Sequence, residues 1–151
     1  MSLKSQIMIS LKEAMRAKDK ISLETLRAVK SELLKMETAA NAPIEISHGE
    51  EIKLLQKMQK QRKDAAAIYS EQGRAELASL EIEQSAVLDK FLPQQLSKAA
   101  LKSAILQIIE KVGATGPSDM GKVMGISSIE LAGRAEGRTI ADVVKAELNS
   151  K

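Results

Sequence analysis

Cysteine and tryptophan are absent from this chain of 151 residues, and Tyr69 and Phe91 are its only aromatics. Without cysteine there is no disulfide and no thiolate to serve as nucleophile or metal ligand. Two scattered aromatics cannot build a base-stacking platform, which argues against recognition of single-stranded RNA by stacking. His48 is the only histidine. A metal site or histidine-based proton transfer needs companions that this composition denies. Carboxylates are plentiful, yet no pair stands out as a general acid/base set. No apolar run is long enough to cross a membrane. The segment from Met1 to Lys18 alternates charged and apolar residues, unlike the uninterrupted apolar stretch of a signal peptide. The expectation is a cytoplasmic protein with no membrane partner, no metal, no cofactor and no catalytic residues.

Hydrophobic residues make up 44% of the chain and charged residues 28%. With so few aromatics the core must be Leu, Ile, Val, Met and Ala, a mix that favours helices. No alternating strand pattern is present, so the fold class is all-α. The length suits one domain or two small ones.

Leu3, Ile7, Leu11, Ala14 and Met15 recur at helical steps of three and four. Ser22 reads as the cap of a second helix with Leu23, Leu26, Val29, Leu33 and Leu34 on one face, broken by Asn41-Ala42-Pro43. Ser47 and Glu50 form a capping box for a long third helix reaching about Ser70, and Gln72-Gly73 ends it. A fourth helix runs from Arg74 or Ala75 to Leu92, where Pro93 stops it. Ser97 caps a fifth, ending at Val112-Gly113; Ser118 opens a sixth. Thr139 with Asp142 reads as a capping box for the last, Ile140 to Leu148. Residues 1–92 thus form a larger subdomain of long helices. Residues 97–151 form a small bundle of three short helices with glycine-rich joints, and 93–96 is the hinge.

Four of the eight glycines, Gly121, Gly125, Gly133 and Gly137, fall close together with Lys122, Arg134 and Arg138. Glycine costs roughly 1 kcal/mol relative to alanine inside a helix, so backbones or a ligand must approach closely there. Gly116 to Lys122 matches seven positions of a phosphate-binding P-loop. Val123 replaces the hydroxyl residue, Pro117 removes an N–H group, and a helix rather than a strand precedes it, so the P-loop is rejected. On the bland reading Gly121 and Gly125, four apart, let the sixth helix pack tightly.

On the third helix Lys53, Lys57 and Lys60 form a stripe opposite the side of Ile52, Leu54, Leu55, Met58, Ala65, Ile68 and Tyr69, with Asp64 placed to pair with Lys60. The stripe is either a solvated face or a track for phosphates. Arg62 falls inside the apolar sector and needs a partner; Glu81 and Glu83 of the fourth helix are the available acids for a buried ion pair. Lys30 intrudes on the apolar face of the second helix, with Arg27 at its edge, and can snorkel outward.

Several segments together carry a resemblance: Leu26-Arg27-Ala28-Val29-Lys30-Ser31, Gln56 to Asp64, Gly73-Arg74-Ala75-Glu76-Leu77-Ala78, and Phe91-Leu92-Pro93-Gln94-Gln95-Leu96-Ser97. The last is Asp119 to Gly125 with Gly133-Arg134-Ala135-Glu136-Gly137. In order and spacing they resemble the YqeY family over nearly the whole chain. One departure is Ile126-Ser127-Ser128-Ile129-Glu130, where that family commonly continues as an apolar, basic helix. YqeY proteins are similar to the C-terminal tail of the GatB subunit of tRNA-dependent amidotransferases. The resemblance implies two helical subdomains and a tie to tRNA aminoacylation or amidation. It implies that Lys122, Arg134, Arg138 and their glycines hold tRNA or another structured RNA, with Lys53, Lys57 and Lys60 as a second patch; no DNA partner is expected. The alternative is a module that docks a tRNA synthetase or amidotransferase subunits. Weaker still is a carbon–nitrogen ligase with glutamine as amido-N-donor, because that label belongs to the larger enzyme and nothing here handles ATP, magnesium or ammonia.

Overall fold

In the computed structural model, which describes residues 1–151, the chain is all-helical and divides into two compact units, Met1–Leu92 and Pro93–Lys151. The first contains α1 (Leu3–Ala17), α2 (Lys20–Thr38), α3 (His48–Glu71) and α4 (Ala75–Asp89). The second contains α5 (Lys98–Val112), a 3₁₀ turn (Pro117–Asp119), α6 (Met120–Glu130) and α7 (Gly137–Asn149).

The core of the first unit is built from apolar stripes. α1 buries Leu3, Ile7, Leu11 and Ala14, and α2 buries Leu26, Val29 and Leu33. Met15 and Leu34, expected on these faces, sit at the stripe edges and stay 59% and 57% exposed. Lys30 and Arg27 are exposed. Asp19, not Ser22, caps α2: its carboxylate accepts the Ser22 hydroxyl at 2.7 Å and the Ser22 N–H at 3.1 Å. These bonds, the hydroxyl foremost, hold the Asp19 carboxyl below its ordinary pKa. At the other side of the unit, Glu51 accepts the Leu3 N–H at 2.9 Å and so satisfies an orphan donor at the start of α1.

α3 starts on the expected capping box of Ser47 and Glu50. It ends in a Schellman turn: Arg74 N–H donates to Tyr69 O at 2.8 Å and Gly73 N–H to Ser70 O at 3.1 Å. Gly73 adopts φ +72°, a conformation that a side chain resists. α4 then returns antiparallel along α3. It ends at Asp89, earlier than Leu92, because Lys90, Phe91 and Leu92 donate three residues back and tighten the chain ahead of Pro93.

Arg62 forms no ion pair with Glu81 or Glu83. It is half-buried, and donates from Nε to Gln84 Oε1 and from Nη1 to Met58 O, both at 3.2 Å. The antiparallel register explains this. Gln59 donates to Ser85 O and to the Asp89 carboxylate, and the same register sets Arg62 opposite Gln84. Lys60 and Asp64 are likewise unpaired; the ion pairs of this unit are Lys4–Glu37 and Lys35–Glu32.

In the second unit Leu101, Ile105, Ile108 and Ile109 of α5 meet Val123 of α6 and Ile140, Val144 and Leu148 of α7. Ser97 caps α5 as expected, accepting the Ala100 N–H at 3.1 Å. Ser118 does not cap α6; it lies within the 3₁₀ turn that precedes it. α7 begins at Gly137 with Glu136 at the cap position, so Thr139 and Asp142 lie inside the helix and form no capping box. Gln95 and Leu96, placed in the hinge by the sequence, are fastened into this unit: Gln95 Nε2 donates to Gly133 O at 2.6 Å and Leu96 N–H to Arg134 O at 2.8 Å.

Two stability outcomes follow. Because the partners of Arg62 are neutral and the side chain is only half-buried, Arg62→Ala should cost about 1 kcal/mol rather than the 3–5 or so of a broken buried ion pair, measured by urea unfolding. Ser127 in α6 is fully buried and its Oγ has no hydrogen-bond partner. Ser127→Ala should therefore raise stability by about 1 kcal/mol, whereas a loss in the same titration would show that the hydroxyl is satisfied.

Candidate nucleic-acid interface

The glycine-rich segment is set by the turn that opens α6. Asp119 Oδ2 accepts the Thr115 N–H at 2.9 Å, and Asp119 N–H donates to Gly116 O at 3.0 Å. The Thr115 bond foremost, helped by the Gly116 N–H and the nearby Lys122 charge, lowers the Asp119 pKa. At 100° per residue, Gly121, Gly125, Ser128 and Ile129 share one side of α6, opposite buried Val123. This side packs against nothing. A Cβ added at Gly121 or Gly125 would meet no atom within 4 Å, and Ile129 is 79% exposed. The close helix packing expected for Gly121 and Gly125 is thus absent.

The remaining residues divide by role. Lys122 is exposed, and its Nζ reaches Val112 O at 3.4 Å, where it meets the negative end of the α5 dipole. Gly133 is buried at φ +76°, and its carbonyl holds Gln95, so it serves the turn rather than opening a surface. Arg134, Gly137 and Arg138 are exposed around the start of α7. Neither arginine has an acidic partner: the ion pairs of this unit are Lys102–Glu147 and Lys111–Glu130. α7 has no acid in its first turn and no side-chain cap. The N–H groups of Gly137, Arg138 and Thr139 have no side-chain cap, and the exposed Glu136 carboxylate stands at the cap position. A helix start with free N–H groups is suited to an anion, phosphate above all, and here Glu136 opposes it. Reading Thr139 as the cap hid this feature. The missing Ser, Thr, Asn or Asp before Gly137 is the signal that could have found it.

Lys53, Lys57 and Lys60 are exposed on α3, in the other unit, and form no ion pair. His48 is exposed, with Nδ1 3.7 Å from Glu51. No group of three or more His, Asp or Glu side chains is placed to hold a metal ion, and no helix is long and apolar enough to cross a membrane.

Since nothing touches the open side of α6, Gly121→Ala and Gly125→Ala should each stabilise the chain by about 0.5–1 kcal/mol, read from urea unfolding. Destabilisation by either would show that the position is sterically closed.

Two comparisons bear on kinship. Over 91 residues the chain is 34% identical to altered inheritance of mitochondria protein 41, mitochondrial, of Clavispora lusitaniae. That match takes in 60% of this chain and 52% of the relative, so the chain spans about half the length of the curated relative it matches. A family model described as Yqey-like protein matches residues 4–148. The match begins in α1, crosses both units and ends in α7, and this chain accordingly belongs to the YqeY-like protein family.

Proposed function

We propose that this chain is a non-catalytic module that holds structured RNA, tRNA foremost, by its sugar–phosphate backbone. One observation carries the reading: the start of α7 has no side-chain cap, and the exposed Arg134 and Arg138, close by in sequence, form no ion pair. An N-terminal cation opposes the helix dipole, and the Glu136 carboxylate at the cap position offsets Arg138. The bare glycine side of α6 supports the same reading, because an exposed helical glycine without an intramolecular role suits close approach by a ligand backbone. Lys122 adds charge nearby in sequence, although its bond to Val112 O ties it down. Lys53, Lys57 and Lys60 enter as a second, weaker patch. The near absence of aromatics fits recognition of shape and backbone rather than of unstacked bases.

The proposal includes a link to tRNA aminoacylation or amidation and a cytoplasmic setting; the name of the Clavispora relative assigns that protein to mitochondria. It assigns no carbon–nitrogen ligase chemistry to this chain, which offers no cysteine and only one, exposed, histidine.

The test is filter binding of bulk tRNA to the full chain over a series of salt concentrations. Arg134→Ala/Arg138→Ala should weaken binding evenly across tRNA sequences and flatten the log–log salt slope by about one unit for each phosphate no longer neutralised. The charge-matched Lys12→Ala/Arg16→Ala, on exposed positions of α1, should leave the slope near wild type. Equal effects of the two double variants, or tRNA retention no better than that of an unrelated protein of equal charge, would overturn the proposal.

A further inference from the structure

α1 and α2 run antiparallel, joined by the turn at Lys18 and Asp19, and Lys4 in the first turn of α1 reaches Glu37 in the last turn of α2 at 3.1 Å. This bridge identifies which sides of the two helices adjoin. At about 100° per residue, Met8, Lys12 and Met15 lie on the Lys4 side of the buried stripe of α1. By the same measure Arg27, Lys30 and Leu34 lie on the Glu37 side of the buried stripe of α2. The two sides meet along the seam that Lys4 and Glu37 cross, so these six residues share one outer face, away from the core. Counted from the bridge, Met8 falls level with Leu34, Lys12 with Lys30, and Met15 with Arg27. Met8, Met15 and Leu34 are 38%, 59% and 57% exposed. Lys12, Arg27 and Lys30 are exposed and form no ion pair.

The charge of these two helices is one-sided. Of their acids, Glu37 and Glu32 are neutralised by Lys4 and Lys35, and Asp19 is engaged as the cap of α2. Glu13 lies on the far side of α1, and Glu24 lies beyond Arg27 at the edge of the face. Against them stand the unpaired cations Lys12, Arg16, Lys18, Lys20, Arg27 and Lys30. Cations set around exposed methionine and leucine select among ligands. Nucleic-acid phosphates would meet the charges and gain nothing from the apolar side chains. A bilayer needs apolar groups that project past the charges, whereas Lys and Arg outreach Met and Leu. A helix with an apolar stripe and flanking Asp or Glu meets both demands. Its stripe lies in the seam over Met8, Leu34 and Met15, whose unbranched methionines adapt to the ridge laid on them, and its carboxylates face Lys12, Arg27 and Lys30.

We infer that the outer face of the α1–α2 pair is a docking surface for an acidic amphipathic helix of a partner protein, seated in the seam between the two helices. The surface lies wholly within the first unit and does not depend on the RNA reading.

The test measures fluorescence anisotropy of three labelled synthetic peptides of about 18 residues, five helical turns, titrated with the full chain. One carries a Leu/Ile stripe flanked by Glu, one the same stripe flanked by Lys, and one the acidic composition with the stripe dispersed. The acidic amphipathic peptide should bind at least about tenfold more tightly than either control. Met15→Gln/Leu34→Gln should reduce that binding about tenfold and leave thermal unfolding in place, because both positions are more than half exposed and Gln keeps the helix propensity. Arg27→Gln/Lys30→Gln should reduce its salt dependence. Equal binding of the dispersed-stripe peptide would reduce the effect to charge alone and overturn the inference, as would equal binding of the basic peptide or indifference to the glutamine pair. Displacement of the bound peptide by bulk tRNA would assign the face to RNA. Capture of the chain by phosphatidylserine vesicles, lost in Met15→Gln/Leu34→Gln, would assign it to a membrane. Self-association of the free chain that Leu34→Gln abolishes would assign it to a second copy. Each of these would also overturn the inference.

Discussion

Aliphatic side chains alone must exclude water from both cores, and the rest of the structure depends on how they do so. Branched and unbranched aliphatics are small, so a core made of them needs many contributors placed at helical spacing. Each fully buried Leu, Ile or Val is worth about 1.5–3 kcal/mol against exposure. Ile7, Leu26, Val29, Leu55 and Leu88 reach that state in the first unit, and Ile105, Ile109, Val123, Val144 and Leu148 in the second. Every helix that contributes a stripe is thereby fixed in rotation about its axis, which decides which of its polar groups face water. The exposed lysines of α3 and the bare side of α6 are consequences of where Leu55, Met58 and Val123 had to go.

Helix ends show a second pattern. Where an end closes onto its own unit, it is satisfied: Ser2 for α1, Asp19 for α2, Ser47 with Glu50 for α3, Ser97 for α5, and Glu51 for the first N–H of α1. α4, α6 and α7 start without a side-chain cap, and of these α6 and α7 also lack an acid in the first turn, although each has an acid at the cap position, Asp119 and Glu136. At α7 this start coincides with Arg134, Gly137 and Arg138.

α4 is acidic throughout and carries no basic residue, while the exposed positions around the start of α7 include Arg134 and Arg138 together with Glu136. Ser127 adds a cost inside the second unit, a buried hydroxyl with no partner.

The sequence by itself determined the helical class, most element boundaries and the identity of the core. Helical periodicity, the Ser47 and Ser97 caps, Gly73 and Pro93 are local signals, and each acts within a few residues of where it is written. It also marked Arg134, Arg138 and the glycines as unusual, since exposed polar groups and glycine cost carry meaning without any fold. Only the tertiary structure decided the pairings. Arg62 finds Gln84 rather than Glu81 or Glu83 because the register of α3 against α4 is fixed by the summed packing of both helices, not by the charge at one position. Asp19 displaced Ser22 as a cap, and Glu136 displaced Thr139, because a helix begins wherever its first turn can join the core, even one turn ahead of the better-looking signal. Whether Gly121 and Gly125 meet a neighbouring helix or open space depends on which side of α6 Val123 draws inward, and that is settled only when α5 and α7 are in place.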